Sequence, residues 1–125
     1  MATYTTNEIT RAVAGDIPAY RLVKSNNGGI SLAGAEDQPF GAVTEAGSDK
    51  ADSKLPDVLR VHTGQAIVPV ETAETGFTEG STVYAAADGK VASTGTVAVG
   101  LVDAPEHSNR GVNTVRVNLF HTAAK

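Results

Sequence analysis

A chain of 125 residues with a formal charge of −4, 41% hydrophobic residues and no cysteine has the size of one domain, without a disulfide framework or a thiolate metal site. Its negative balance and scattered basic residues exclude a broad phosphate-binding face, so no nucleic acid is expected as a partner. No run reaches the roughly 18 apolar residues of a membrane span and the N-terminus lacks a basic-then-apolar signal pattern, so no membrane is expected either.

Leu, Ile, Val and Phe together number 28, and 15 of them are Val, so the β-branched bias favours pleated sheet over helix. Thirteen glycines and five prolines imply many turns. The expected class is all-β: a compact antiparallel β-barrel or β-tulip-like sandwich built from two loosely related β meanders, with an extended N-terminal arm.

Residues 1–14, MATYTTNEITRAVA, are polar and Thr-rich, and Tyr4, Ile9 and Val13 are their spaced apolar anchors. An extended arm suited to joining a neighbouring sheet is expected there, followed by a single β domain over 15–125. Residues 19–24 read as a strand, 25–29 as a turn, 30–33 as its return and 40–44 as a third strand. Residues 46–57, AGSDKADSKLPD, contain almost nothing to bury and read as an exposed loop. Val58 to His62 alternates, with Leu59 and Val61 inward. Residues 65–70 form another strand, placed at a sheet edge by Pro69, which has no N–H to donate.

An acidic loop with Phe77 follows, and then Gly80 to Asp103, GSTVYAAADGKVASTGTVAVGLVD, reads as a meander that reverses at Asp88-Gly89. Residues 104–111 read as a loop and 112–120 as a terminal strand with Val115, Val117 and Leu119 inward. Residues 15–63 and 80–120 look like loose copies. Gly15 to Tyr20 matches Gly80 to Tyr84, Gly29-Ile30-Ser31-Leu32 matches Gly89-Lys90-Val91-Ala92, Pro39 to Ala46 matches Ala98 to Ala104, and Val58-Leu59-Arg60-Val61 matches Val115-Arg116-Val117-Asn118. Duplication of a unit that cannot bury its apolar face alone accounts for this pattern.

Chemistry-bearing patterns are scarce. His62, His107 and His121 have no metal-ligand spacing, the 14 carboxylates sit mostly in loops, and neither a nucleophile elbow nor a phosphate-cradling glycine loop is present. No catalytic, cofactor-binding or metal residue is assigned, and an enzyme is not expected. The alternative is a lipoyl- or biotinyl-like carrier, or a small-ligand-binding β domain. Ser48-Asp49-Lys50-Ala51 is similar to the Asp-Lys-Ala turn of lipoyl domains, but Lys50 is embedded in a long charged loop rather than a tight hairpin, and Lys90, after the Asp88-Gly89 turn, lacks the methionines of a biotin site.

The order Gly15-Asp16, a strand, Gly29-Ile30, Pro39 to Val43, then Gly80-Ser81-Thr82-Val83-Tyr84, Ala87 to Val91 and Val99-Gly100-Leu101-Val102 resembles the small capsid cement or decoration proteins of tailed bacteriophages. The resemblance spans about residues 13–120 and rests on glycine-punctuated strands; the polar insert around 48–54 departs from it. It implies a structural protein on the outer surface of the virion capsid, made in the host cytoplasm. Such a protein bridges major capsid protein subunits of the HK97-like fold, as a homotrimer at three-fold or quasi-three-fold sites. Tyr4, Thr6, Ile9, Val13 and Phe120, which this reading isolates from the strand cores, are the expected partner contacts.

Overall fold

The computed structural model of the chain describes residues 8–63 and 66–119. Its strands are β1 (Glu8–Val13), β2 (Asp16–Ile17), β3 (Arg21–Asn26), β4 (Gly29–Leu32), β5 (Gly41–Val43), β6 (Gly47–Ser48) and β7 (Val58–His62) in the first half. The second half contributes β8 (Ile67–Glu71), β9 (Thr82–Ala85), β10 (Val91–Ala92), β11 (Ala98–Asn109) and β12 (Val112–Leu119), with one 3-10 turn at Ala87–Gly89. Strands β1, β4, β3, β5 and β7 close into a barrel in that order, β10, β9, β11, β12 and β8 form a five-stranded sheet, and β2 pairs with β6. The protein is all-β and built around a barrel, as its composition implies.

The two halves share one plan. Reading β1, β7, β5, β3, β4 around the barrel and β8, β12, β11, β9, β10 across the sheet gives the same chain order and the same strand directions. The registers coincide as well. Thr10 opposite Arg60 becomes Pro69 opposite Arg116, and Ala42 opposite His62 becomes Leu101 opposite Asn118. Leu22 opposite Ala42 becomes Thr82 opposite Leu101, and Ser25 opposite Ile30 becomes Ala85 opposite Val91. Even the parallel contact that closes the barrel, Val13 to Ile30, recurs as the isolated parallel bridge Thr72 to Val91. Gly41 and Gly100 fall on equivalent sites. A Cβ on Gly41 would stand 2.5 Å from the His62 carbonyl oxygen, and one on Gly100 would collide with the Asn118 carbonyl oxygen, so neither strand tolerates a side chain there.

Both units depart from the expected meander. β10 lies outside β9, so the chain has to cross β9 to reach β11, just as the 33–40 segment crosses β3 between β4 and β5. Gly95 permits the close crossing, since a Cβ there would lie 2.8 Å from that of Tyr84. Local alternation cannot reveal such a crossing, because it specifies which face of a strand is buried and not which strand lies beside it.

Four further expectations are corrected. Residues 8–13 are not an arm: β1 pairs with β7 along its length and with β4 at Ala12 and Val13, and so belongs to the barrel. Residues 104–109 are not a loop but the distal part of β11, where register shifts between Val102 and His107 accommodate Pro105 opposite β12. Within the polar 46–57 stretch, Gly47 and Ser48 are buried as β6. Thr114, expected to face solvent, is buried because its hydroxyl donates to the His107 carbonyl and accepts from the Asn109 amide.

Tyr20 stands just before β3 rather than within it, with φ at 63°, in the left-handed region. The equivalent residue before β9 is Gly80, with φ at 89°. The shared plan demands this backbone geometry at both places. Glycine meets the demand at little cost, whereas a side chain there costs about 1–2 kcal/mol.

Two apolar clusters fill the body. Val13, Ile17, Val23, Ile30, Val43, Leu59 and Val61 pack inside the barrel. Val68, Val70, Val83, Val99, Val115, Val117 and Leu119 build the second cluster, together with Phe77 and with Leu22, Ala33 and Ala42 from the first half. Leu22 and Val23 are adjacent on β3 yet enter different clusters, as do Ala42 and Val43 on β5. β3 and β5 therefore form a wall with both faces buried, which makes the two halves one body.

Candidate interaction surfaces

The seam between the halves shows how charge is used inside the body. The Arg21 guanidinium donates through Nε to Glu71 at 2.9 Å, approaches it again through Nη2 at 2.7 Å, and donates through Nη1 to the Asp88 carbonyl at 2.9 Å. Lys90 Nζ lies 3.6 Å from the same Glu71 carboxylate. Glu71 N–H donates to the Tyr20 carbonyl and Gly89 N–H to the Ala33 carbonyl, so main-chain bonds reinforce the clasp. These groups are held for structure, since every one has its partner inside the protein.

Two carboxylates hold corresponding corners of the halves. Asp16 accepts from the Ser48 hydroxyl at 2.6 Å and the Lys50 ammonium at 2.9 Å; these bonds, Ser48 foremost, lower its pKa, while Asp16 raises that of Lys50. Glu106 accepts from the Gly76 N–H at 2.7 Å and the Phe77 N–H at 3.0 Å, which hold its pKa below the usual range. Lys50, one of the two lysines considered for a carrier, thus spends its charge on Asp16, and Lys90 lies beside the clasp rather than at a projecting tip.

The expected partner contacts scatter. Tyr4, Thr6 and Phe120, like His121, lie outside the described residues. Val13 is buried among Ile17, Val23 and Ile30, so it cannot touch a partner without opening the barrel. Ile9 is half-buried and sits opposite Val61 in the β1–β7 ladder. The isolation inferred for these two does not exist, because β1 is itself a core strand. His62 and His107 line different hollows, and among the described residues no group of three or more His, Asp or Glu is arranged to hold a metal. No helix among those residues is long and apolar enough to cross a membrane.

What the surface does present is a pair of related hollows. One, of about 360 Å³, lies over β1 and β7 against Thr10, Val58, Arg60, His62 and the rim residues Glu45 and Pro56. The other, of about 630 Å³, lies over β8, β12 and the distal part of β11 against Pro69, Thr114, Arg116, Ala104, Pro105 and Glu106. Thr10 and Arg60 in the first stand where Pro69 and Arg116 stand in the second. Sequence reasoning missed this correspondence by aligning Arg60 with Val117, one residue out of register. The signal was available in Leu59-Arg60-Val61 and Val115-Arg116-Val117, two apolar-Arg-apolar triplets with one alternation.

Val58, Ile67 and Leu101 are exposed on the same outer faces of β7, β8 and β11, and Leu55 is exposed in the loop before β7. No family model matches the chain, and neither a curated protein nor a solved structure matches it.

Proposed function

We propose that this chain is a non-enzymatic structural protein that binds the outer surface of a tailed-phage head and bridges neighbouring major capsid protein subunits, acting as a homotrimer at three-fold or quasi-three-fold sites. The single observation that supports this reading is the build of the body. Two register-matched β units are locked together by a shared wall and a charged clasp, while aliphatic side chains stay exposed on their outer faces. A rigid block of this kind suits holding neighbours in place, and many weak contacts repeated over a closed shell add by avidity. The glycine-punctuated strand order that resembles the decoration proteins gives the proposal its partner.

Co-sedimentation with empty phage shells tests it: saturable occupancy of the mature shell is expected, and no binding at any ratio overturns it. Residues 1–7 are the part of the expected 1–14 arm that lies outside the described residues. Because β1 begins at Glu8, truncation has to stop there. Removing 1–7 is expected to lower shell occupancy at an unchanged melting temperature; equal occupancy would remove the arm from the proposal. An intact mass equal to that of the bare chain separates this reading from a carrier with an adduct on Lys50 or Lys90.

A further inference from the structure

We infer that Asn27 is a self-modification site: in the folded protein its side chain loses ammonia to attack by the Gly28 nitrogen, and aspartate and isoaspartate accumulate at the turn between β3 and β4. The inference goes beyond the capsid reading and does not depend on it, because it rests on two turns of the protein itself.

The chain contains one Asn-Gly pair, Asn27-Gly28, and one Asp-Gly pair, Asp88-Gly89. Both dipeptides are chemically prone to close a cyclic imide, since glycine puts no side chain beside the attacking nitrogen. The register match sets them at the same place. Ser25 opposite Ile30 brackets the first pair as Ala85 opposite Val91 brackets the second. Their backbones agree too: φ is 52° and 84° at Asn27 and Gly28, and 60° and 74° at Asp88 and Gly89, left-handed at all four residues. One turn geometry is thus held in two environments.

The environments differ at the nitrogen. Gly89 is buried, its N–H donates to the Ala33 carbonyl at 2.7 Å, and a Cβ on it would stand 2.5 Å from the Leu22 carbonyl oxygen. Held in this way, it cannot swing onto the Asp88 carboxyl. Asn27 and Gly28 are exposed, and a Cβ on Gly28 would meet nothing within 4 Å. Among the described residues nothing accepts the Gly28 N–H, and nothing bonds the Asn27 side chain. Ring closure there requires rotation about the Asn27 backbone and side chain, which a two-residue surface turn permits by opening locally. Other asparagines are restrained. The Asn109 amide donates to the Thr114 hydroxyl, that of Asn113 donates to the Thr72 and Glu74 carbonyls, and the Leu119 N–H after Asn118 donates to the Ala66 carbonyl.

The Gly28 nitrogen bonds to Asn27 Cγ, the bond from Cγ to the side-chain nitrogen breaks, and that nitrogen leaves as ammonia with the proton from Gly28. Water then opens the imide. Cleavage at Cγ restores the main chain and leaves aspartate; cleavage at the α-carbonyl leaves isoaspartate, with the main chain routed through Cγ. Either product adds one negative charge. Isoaspartate also lengthens a turn whose length fixes the register of β3 with β4, and β3 belongs to the wall shared by both clusters.

The test is incubation of the full chain at neutral pH in heavy-oxygen water, below its melting transition, followed by proteolysis and fragment-ion mass spectrometry. Replacement of the amide by a heavy-oxygen carboxyl is expected at Asn27 before Asn26, Asn109, Asn113 or Asn118, with no heavy oxygen entering Asp88. In the urea-unfolded chain Asp88 is expected to take up heavy oxygen as well. Asn27→Gln should abolish the more acidic species that ion exchange separates from aged protein. The isoaspartate form should melt below the unmodified protein, and Asn27→Asp close to it. If Asn27 stays intact in the folded chain while the unfolded chain converts it, the turn protects it and the inference fails. Equal conversion at the other asparagines, or heavy oxygen at Asp88 of the folded protein, would overturn it too, because the fold would then not select the site.

Discussion

The two halves differ at one seam. In the first, β1 meets β4 through two successive parallel pairs, Ala12 to Gly29 and Val13 to Ile30, and the barrel closes. In the second, the equivalent strands β8 and β10 touch through the single Thr72 to Val91 bridge. The gap is filled from the first half: Leu22, Ala33 and Ala42 join the second cluster, and Tyr20 and Ala33 supply carbonyls to Glu71 and Gly89. One plan thus gives a closed barrel and an open one, and the open one is completed by its sibling. The lesson is that strand register survives where side-chain identity does not, because register carries the ladder while side chains answer to whatever packs on the outside. Leu22 and Thr82 hold the same place in the ladder, but the first is buried in the wall and the second half-exposed.

The comparison breaks most severely if a charge enters either core. Val61 and Val117 are equivalent and fully buried, so Val61→Asp or Val117→Asp leaves an uncompensated carboxylate among apolar groups and is expected to abolish cooperative melting in both cases. A soluble Val117→Asp protein with an intact thermal transition would mean that β12 has the wrong face inward. Next comes the seam. Gly89 has φ at 74°, and a Cβ there would lie 2.5 Å from the Leu22 carbonyl oxygen, so Gly89→Ala is expected to cost about 3 kcal/mol in denaturant unfolding. An effect below about 1 kcal/mol would show that the halves are not pressed together at that point.

Arg21→Ala removes the centre of the clasp and leaves Glu71 with Lys90 alone; a loss of about 1–3 kcal/mol is expected. If Lys90→Ala cost as much, the clasp would centre on the lysine instead. The left-handed pair comes fourth. Gly80→Ala meets no steric contact but keeps its positive φ, for an expected loss of about 1 kcal/mol, whereas Tyr20→Gly relieves that strain and loses a buried ring, for a larger one. The same ranking by thermal melting and by urea would sharpen the equivalence of the two positions, and a reversed ranking would break it.

The smallest effect concerns acid. Asp16 and Glu106 have folded pKa values below their unfolded ones, so each adds stability at pH above the ordinary carboxylate range and loses it as pH falls through its folded value. Asp16→Asn with Glu106→Gln should flatten the acid limb of melting temperature against pH and leave the neutral plateau lower. An unaltered acid limb would assign acid sensitivity to other carboxylates.

Much of this architecture is legible in the sequence. β-branched bias gives the class, alternation gives the buried faces of β7 and β12, Asp88-Gly89 gives a left-handed reversal, and Pro69 places β8 at an edge. The repeat is legible too, although its outer limits begin earlier than the glycine pattern suggests because β1 and β8, the strands that meet β7 and β12, carry no glycine. The crossing of β9 and the entry of β1 into the barrel stay hidden, since both depend on which strands become neighbours. The paired arginines are hidden by a one-residue slip, because Ile30 answers to Val91 rather than to Lys90 and Val61 to Val117 rather than to Asn118.

Pro69 has one more effect. Pairing with β12 turns the amides of Val68 and Val70 inward, so the main chain of Ile67, Pro69 and Glu71 faces the rim of the sheet, and Glu71 N–H is already engaged by Tyr20. With the proline offering no N–H in the middle, an incoming strand finds no continuous ladder to extend. Fibrillar stacking of molecules crowded at high density is thereby discouraged by a single imino acid.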